Sequence, residues 1–260
     1  MTPARYDGAM DDDRVHDRVR DTAQDLERDD ALARRRLTRR AALAWLAAGA
    51  AFGTTARAAD GATMCIARPE QTEGPFFVDE RLERSDIRTD PSTGVASAGT
   101  PLTLVLAVGA LRASTCTPLE GAIVDVWQCD AAGRYSDVRD GRSSTVGQRF
   151  LRGFARTDAR GEARFVTIVP GWYEGRAVHI HVRIATPRAN GGPRVFTSQL
   201  YFDEPFLDQV HAAGAYAARS GRRMPNASDG LYRHGGRDLL LAPQPDGAGY
   251  AARFAVGLTA

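Results

Sequence analysis

Apolar residues along this 260-residue chain fall in short runs separated by turn residues, and helical periodicity is scarce. The runs are Leu102–Val108, Ala122–Cys129, Arg149–Thr157, Glu162–Val169, Ala177–Ala185, Arg194–Phe202 and Tyr250–Leu258. Strand side chains alternate between faces with period two, and runs of this length and alternation predict strands. Asp158-Ala159-Arg160-Gly161, between the third and fourth runs, predicts a hairpin turn. Only Glu204–Ser220 carries a helical pattern. Many short strands with tight turns and one short helix point to an all-β fold, an antiparallel sandwich or barrel with long loops. No internal repeat interrupts the region after residue 60, which reads as one domain spanning 59–260.

The first 58 residues depart from this pattern. Residues 1–33 are polar and charged, with the run Asp11, Asp12 and Asp13, and read as a disordered extension. Arg34 to Arg40 form a basic region, followed by the apolar stretch Ala41 to Phe52. That stretch is too short to span a bilayer. Ala56-Arg57-Ala58 follows as a small-x-small cleavage signal. Together residues 34–58 predict an export signal, and the paired arginines suggest the twin-arginine route to a periplasmic or extracellular location. The mature form then carries no membrane span.

Composition narrows the chemistry. The formal net charge is +2, which offers no electrostatic case for a nucleic-acid partner. All 34 basic residues are arginine, so Schiff-base catalysis and a Walker-type phosphate loop are excluded. Three cysteines, Cys65, Cys116 and Cys129, permit at most one internal disulfide. In an exported chain the expected pair is Cys65 with Cys116, both in loop-like segments. Cys129, at the end of an apolar strand beside Trp127, is expected to stay reduced as a small buried hydrophobe.

The stretch Gly171–Ile184, GWYEGRAVHIHVRI, carries the candidate chemistry. Val178, Ile180, Val182 and Ile184 share one strand face, and His179 and His181 share the other. Two imidazoles about 7 Å apart along one face are able to converge on a metal ion. The competing reading is a solvated strand face that happens to carry histidine. No acidic residue follows His181 within the next several positions, and no Cys-x-x-Cys occurs, so cupin-like and structural zinc sites are unsupported. Tyrosines lie nearby instead: Tyr173 six residues before His179, and Tyr135 after the glycine turn of WQCDAAGRY. Taken singly, each reads more simply as a turn aromatic with its hydroxyl in water.

Taken together, GAIVDVWQCDAAGRYSDV, FLRGFARTDARGEARFVTIVPGWYEGRAVHIHVRI and SQLYF resemble the intradiol ring-cleavage dioxygenases. The likeness is to the catalytic core of protocatechuate 3,4-dioxygenases, and especially to their short exported relatives. Gln71–Phe77 (QTEGPFF) and Asn226–Tyr232 (NASDGLY) resemble that exported branch as well. The resemblance implies a β-sandwich and a non-haem Fe(III) held by Tyr135, Tyr173, His179 and His181. It further implies that Arg176 steadies the substrate, that Gln199 supports the site, and that a catechol-type aromatic and O2 are the reactants. Two departures stand out. The gap from Tyr173 to His179 is shorter than in the well-known catechol and protocatechuate enzymes. Residues 59–101 are also too short and irregular to supply the helical dimerisation segment of catechol 1,2-dioxygenases, which leaves a homo-oligomer or a monomer open.

The donor types agree with that chemistry. Phenolate is a hard anionic ligand that favours ferric over ferrous iron, whereas two histidines with one carboxylate suit Fe(II). Two other functions fit the same residues: an iron-free β-sandwich binding or carrier module, and a different metalloenzyme built on His179 and His181.

Overall fold

The computed structural model describes residues 66–112, 115–140, 143–186 and 194–259. The export signal read at 34–58, the extension before it and Cys65 lie outside the described residues. Eleven strands follow in chain order: β1 (Pro101–Arg112), β2 (Thr115–Pro118), β3 (Ile123–Trp127), β4 (Arg139–Asp140), β5 (Ser143–Ser144), β6 (Arg152–Arg156), β7 (Glu162–Ile168), β8 (His179–Ala185), β9 (Val195–Tyr201), β10 (Gln244–Asp246) and β11 (Gly249–Thr259). Two α-helices are described, α1 (Glu204–His211) and α2 (Gly230–Arg233).

Two sheets form an all-β sandwich. One runs β10-β11-β1-β2, with β7 also on β1; the other runs β6-β3-β8-β9. Leu102, Leu104, Leu106 and Val108 of β1 face Val124 and Val126 of β3 and Ile180, Val182 and Ile184 of β8 in one buried apolar cluster. Alternation along each strand thus produces the core that the sequence predicts.

Three features differ from the sequence expectation. The β1–β11 pair is parallel over its length, so the sandwich is not wholly antiparallel. Parallel pairing needs a long connection, and nearly the whole domain separates these two strands. The Asp158–Gly161 turn forms, with Gly161 at φ 73° and the Asp158 side chain accepting from the amides of Arg160 and Glu162. Its flanking strands do not make a hairpin, because β6 pairs with β3 and β7 with β1. The Glu204–Ser220 pattern yields a helix only to His211, followed by a 3₁₀ turn at Gly214–Tyr216. Asp203 caps α1 by accepting from Phe206 N at 2.9 Å, and Gly214 adopts φ 60°, where helical continuation stops.

The irregular stretch before β1 seals sheet edges. Gln71 N donates to Thr197 O of β9, Arg84 N to Phe154 O of β6, and Ile87 N to Val166 O of β7, at 2.9–3.0 Å. Open edges template unwanted pairing, and this strap removes three of them. It also covers the outer face of β3 and β8, where the histidines lie.

Cys116 is disulfide-bonded and sits in β2, paired with Leu111, rather than in a loop. Cys129 is free and buried, and burial pushes its thiol up to about 12. Non-reducing peptide mapping is expected to link the Cys116 peptide to that of Cys65 and to leave Cys129 unmodified by thiol reagents until the chain unfolds. A linked peptide containing Cys129 would overturn that assignment.

Candidate metal centre

Strand register assembles the first half of the site. Trp127, His181 and Gln199 stand side by side across β3, β8 and β9, and His179 pairs with Tyr201. Residues opposite one another in a sheet share a face. Here it is the face away from Ile180 and Val182, and it is not solvated: His179 is 2% and His181 1% exposed. The Trp127 indole stacks on the His181 ring, with centroids 4.8 Å apart and planes 4° from parallel. Trp127 therefore belongs to a small buried cluster with Cys129 and Tyr135, and it is also a wall of the site.

Two loops deliver the tyrosines. After β3, Gly133 N donates to Asp130 O at 2.9 Å, and Asp130 Oδ1 accepts from Arg134 N, which closes the turn before Tyr135. Arg152, buried in β6, donates through Nε to Ser136 Oγ at 2.7 Å and also reaches the carbonyls of Ser136 and Phe76. It thereby fixes the backbone beside Tyr135 to the strap. Phe76 in turn stacks on the Tyr135 ring at 4.4 Å. Tyr173 comes from the turn after β7. The two loops touch through glycines: a Cβ on Gly133 would lie 2.0 Å from Trp172 O, and one on Gly171 would lie 2.4 Å from Ala131 O.

The four donors converge. Tyr135 Oη lies 3.3 Å from His179 Nε2 and 3.1 Å from His181 Nε2, Tyr173 Oη lies 3.5 Å from His179 Nε2, and the two Nε2 atoms are 3.0 Å apart. His179 Nδ1 donates to Ala177 O at 2.7 Å, which leaves its Nε2 as a lone-pair donor. Burial, then the Arg176 charge, pushes His179 down to about 3, and burial with His179 beside it holds His181 well below its ordinary value. Burial pushes Tyr173 up to about 12 and Tyr135 well above the usual phenol range. Burial keeps both imidazoles neutral, and two Nε2 atoms 3.0 Å apart suit a metal cation between them. A cation also reverses the phenol shifts, because positive charge favours phenolate. The donor set thus fits a hard, highly charged metal ion. Among the described residues no group of three or more His, Cys, Asp or Glu is arranged for a metal, so a zinc site of those ligand types finds only the histidine pair.

Comparison with known proteins identifies the family. The family model described as Dioxygenase (Dioxygenase_C) matches residues 72–221, which contain all four donors. The chain belongs to the intradiol ring-cleavage dioxygenases. The dioxygenase is 31% identical to an intradiol ring-cleavage dioxygenase from Tetranychus urticae, over 75% of this chain and 95% of that one, with a TM-score of 0.63. It is 29% identical to the dioxygenase domain of a dioxygenase–carbohydrate-binding fusion from Streptomyces sp. SirexAA-E, over 75% and 99% of the two chains, with a TM-score of 0.52. Among curated relatives it is 34% identical to a protocatechuate 3,4-dioxygenase beta chain from Burkholderia cepacia, over 39% of this chain and 47% of that protein. It is 30% identical to a chlorocatechol 1,2-dioxygenase from Rhodococcus opacus, over 52% and 57%. The chain spans about half the length of these curated relatives.

Around the donors the dioxygenase carries a polar frame that its sequence disclosed only in part. Arg176 and Gln199, singled out from the sequence, meet: Arg176 Nη2 donates to Gln199 Oε1. Gln199 Nε2 donates to Thr72 O at 3.0 Å, and Tyr201 Oη donates to Gln71 Oε1 at 2.8 Å. Sequence reasoning passed over Asp229, whose Oδ2 accepts from Arg176 Nε at 2.9 Å. The signal that existed was Asp-Gly ahead of a short apolar pair, a helix-cap pattern. Trp172 does not join the donors; it is half-buried, with the Arg219 guanidinium 4.6 Å from its ring centre and His211 at 5.1 Å. His211 and His234 lie in and just after helices, and among the described residues neither joins a group of three or more His, Cys, Asp or Glu arranged for a metal. Asn226, in a glycosylation-like triplet, is buried and donates its side-chain amide to Phe202 O at 2.7 Å.

Proposed function

We propose that this dioxygenase holds one Fe(III) between Tyr135, Tyr173, His179 and His181. With it, the enzyme opens a catechol-type ring between the two hydroxyl-bearing carbons with O2, giving a cis,cis-muconate-type product. The convergence of two phenols and two imidazoles, all buried but the half-buried Tyr173, carries this reading. Bound ferric iron would supply the Lewis acidity that ionises the phenols and draws electron density from a catechol ring, making a ring carbon reactive toward O2. The residues supply the rest. Once ionised, the tyrosine oxygens would be bases able to take the substrate hydroxyl protons. Arg176 sets a fixed positive charge beside Tyr173, where negative charge develops on the substrate. Phe76, Trp127 and the strap keep bulk water from the donors. We read residues 59–260 as the working domain and 34–58 as a twin-arginine-type signal that places it outside the cytoplasm.

The test is spectroscopic and chemical. Purified protein is expected to contain one iron per chain and to be red-brown from tyrosinate-to-iron charge transfer. Tyr173→Phe and Tyr135→Phe are each expected to shift or abolish the visible band. Incubation with catechol or a carboxylated catechol is expected to yield a cis,cis-muconate. An unchanged spectrum in both variants, or a yellow semialdehyde product, would sink the proposal.

A further inference from the structure

We propose that Asp229 is the positioning residue of this site, one carboxylate that aims both the Arg176 guanidinium and, through the backbone of Ala177, the His179 ring. The inference rests on the functional reading above and adds a residue to it. Asp229 is 1% exposed and accepts four hydrogen bonds. Oδ1 takes Leu231 N at 2.7 Å and Tyr232 N at 3.3 Å, the start of α2. Oδ2 takes Arg176 Nε at 2.9 Å and Ala177 N at 2.8 Å. A helix cap needs only the first oxygen. The second is spent wholly on the entrance to β8.

That entrance controls two groups at once. The Ala177 carbonyl accepts His179 Nδ1–H at 2.7 Å, so the residue whose N–H Asp229 holds also sets the ring, through the C=O on the other side of its Cα. Partners of this kind fix a ligand's tautomer and orientation. Arg176 is likewise held from two sides: Asp229 takes Nε, while Gln199 Oε1 and Tyr201 Oη take Nη2, the latter at 3.5 Å. The Arg176 and Arg183 guanidinia each pair with a carboxylate, but Asp125 opposite Arg183 is 18% exposed in its side chain, against 1% for Asp229. An ion pair whose carboxylate is buried with every acceptor site used is geometrically stiff. The guanidinium is therefore held in one orientation, with its charge acting on Tyr173.

Two variants separate aiming from capping. Asp229→Ser keeps an N-cap oxygen but is too short to reach Arg176. Asp229→Asn keeps the shape, loses the charge and sets an amide against two N–H donors. For each, kcat and KM for catechol are measured per bound iron, alongside the melting temperature and a crystal structure. Both variants are expected to lower kcat per iron by roughly 10–100-fold, with KM moving much less. Asp229→Ser is expected to keep most of the melting temperature. The crystal structures are expected to show Arg176 and the His179 ring displaced. Asp229→Ser with wild-type kcat per iron, or variants with Arg176 and His179 unmoved, would reduce Asp229 to a helix cap. If the wild-type protein holds no iron and cleaves no catechol, the functional proposal fails, while the structures of the variants still decide the role of Asp229.

Discussion

Replacing His181 with alanine is expected to leave a folded protein that no longer retains iron. His181 reaches two of the other three donors, with its Nε2 3.0 Å from that of His179 and 3.1 Å from Tyr135 Oη. Its removal leaves two phenols and one imidazole around a gap open on the side of Trp127. Two neutral phenols are poor ligands until a strongly held cation ionises them, so loss of one imidazole weakens all the remaining bonds together. The fold is less exposed to the change. The ring lies on the face of β8 opposite Ile180 and Val182, and the inter-sheet core does not include it. The cost to stability is the lost stacking on Trp127 and a small void, about 1–3 kcal/mol. Iron per chain after dialysis and a thermal melt check both halves. Iron retained at wild-type occupancy would show that His181 is not a ligand.

Much of this architecture was legible in the residue pattern, and the misses share a physical cause. Alternation marked β1, β3, β7, β8, β9 and β11 because each buries one face against the same core. Pairing partners were not legible. The Asp158–Gly161 turn has the local chemistry of a hairpin, yet which sheet β7 joins is decided by β1, more than fifty residues away in its register with Glu162–Ile168. The parallel β1–β11 pair is a contact between the two ends of the domain, and no local signal encodes it. The site divides along the same line. Tyr135, Tyr173, His179 and His181 were visible as residue types next to strands and turns, and the structure brings them within hydrogen-bonding reach of one another. The solvated-face alternative for the histidines fails because a strap of irregular chain covers that face, and irregular chain has no period to read. Asp229 escaped because its partner Arg176 is 53 residues away and its local setting is that of an ordinary cap.

Gly133→Ala is expected to separate the two tyrosine loops and with them the donor set. Gly133 adopts φ 79°, and a Cβ there would lie 2.0 Å from Trp172 O and 2.5 Å from the Arg219 guanidinium. The arginine tip is able to swing aside. The Trp172 carbonyl is backbone, one residue from Tyr173, and moves only if the whole turn moves. Relief of an overlap of this size shifts that turn outward, carrying Tyr173 away from His179, to which it already stands at 3.5 Å. Two costs are mixed in such a substitution: the left-handed backbone conformation and the collision. Gly147→Ala isolates the first, since Gly147 adopts φ 85° with nothing within 4 Å of an added Cβ. That variant is expected to lose about 1 kcal/mol and to keep its iron and its visible band. Gly133→Ala adds overpacking, typically another 1–3 kcal/mol, and is expected to lose iron or shift the tyrosinate band as well. Equal melting temperatures and identical spectra for the two variants would mean that the loops have room to give and that the glycine serves the turn alone. A larger loss at Gly133, with the spectrum changed, ties the close approach of the loops to the chemistry they carry.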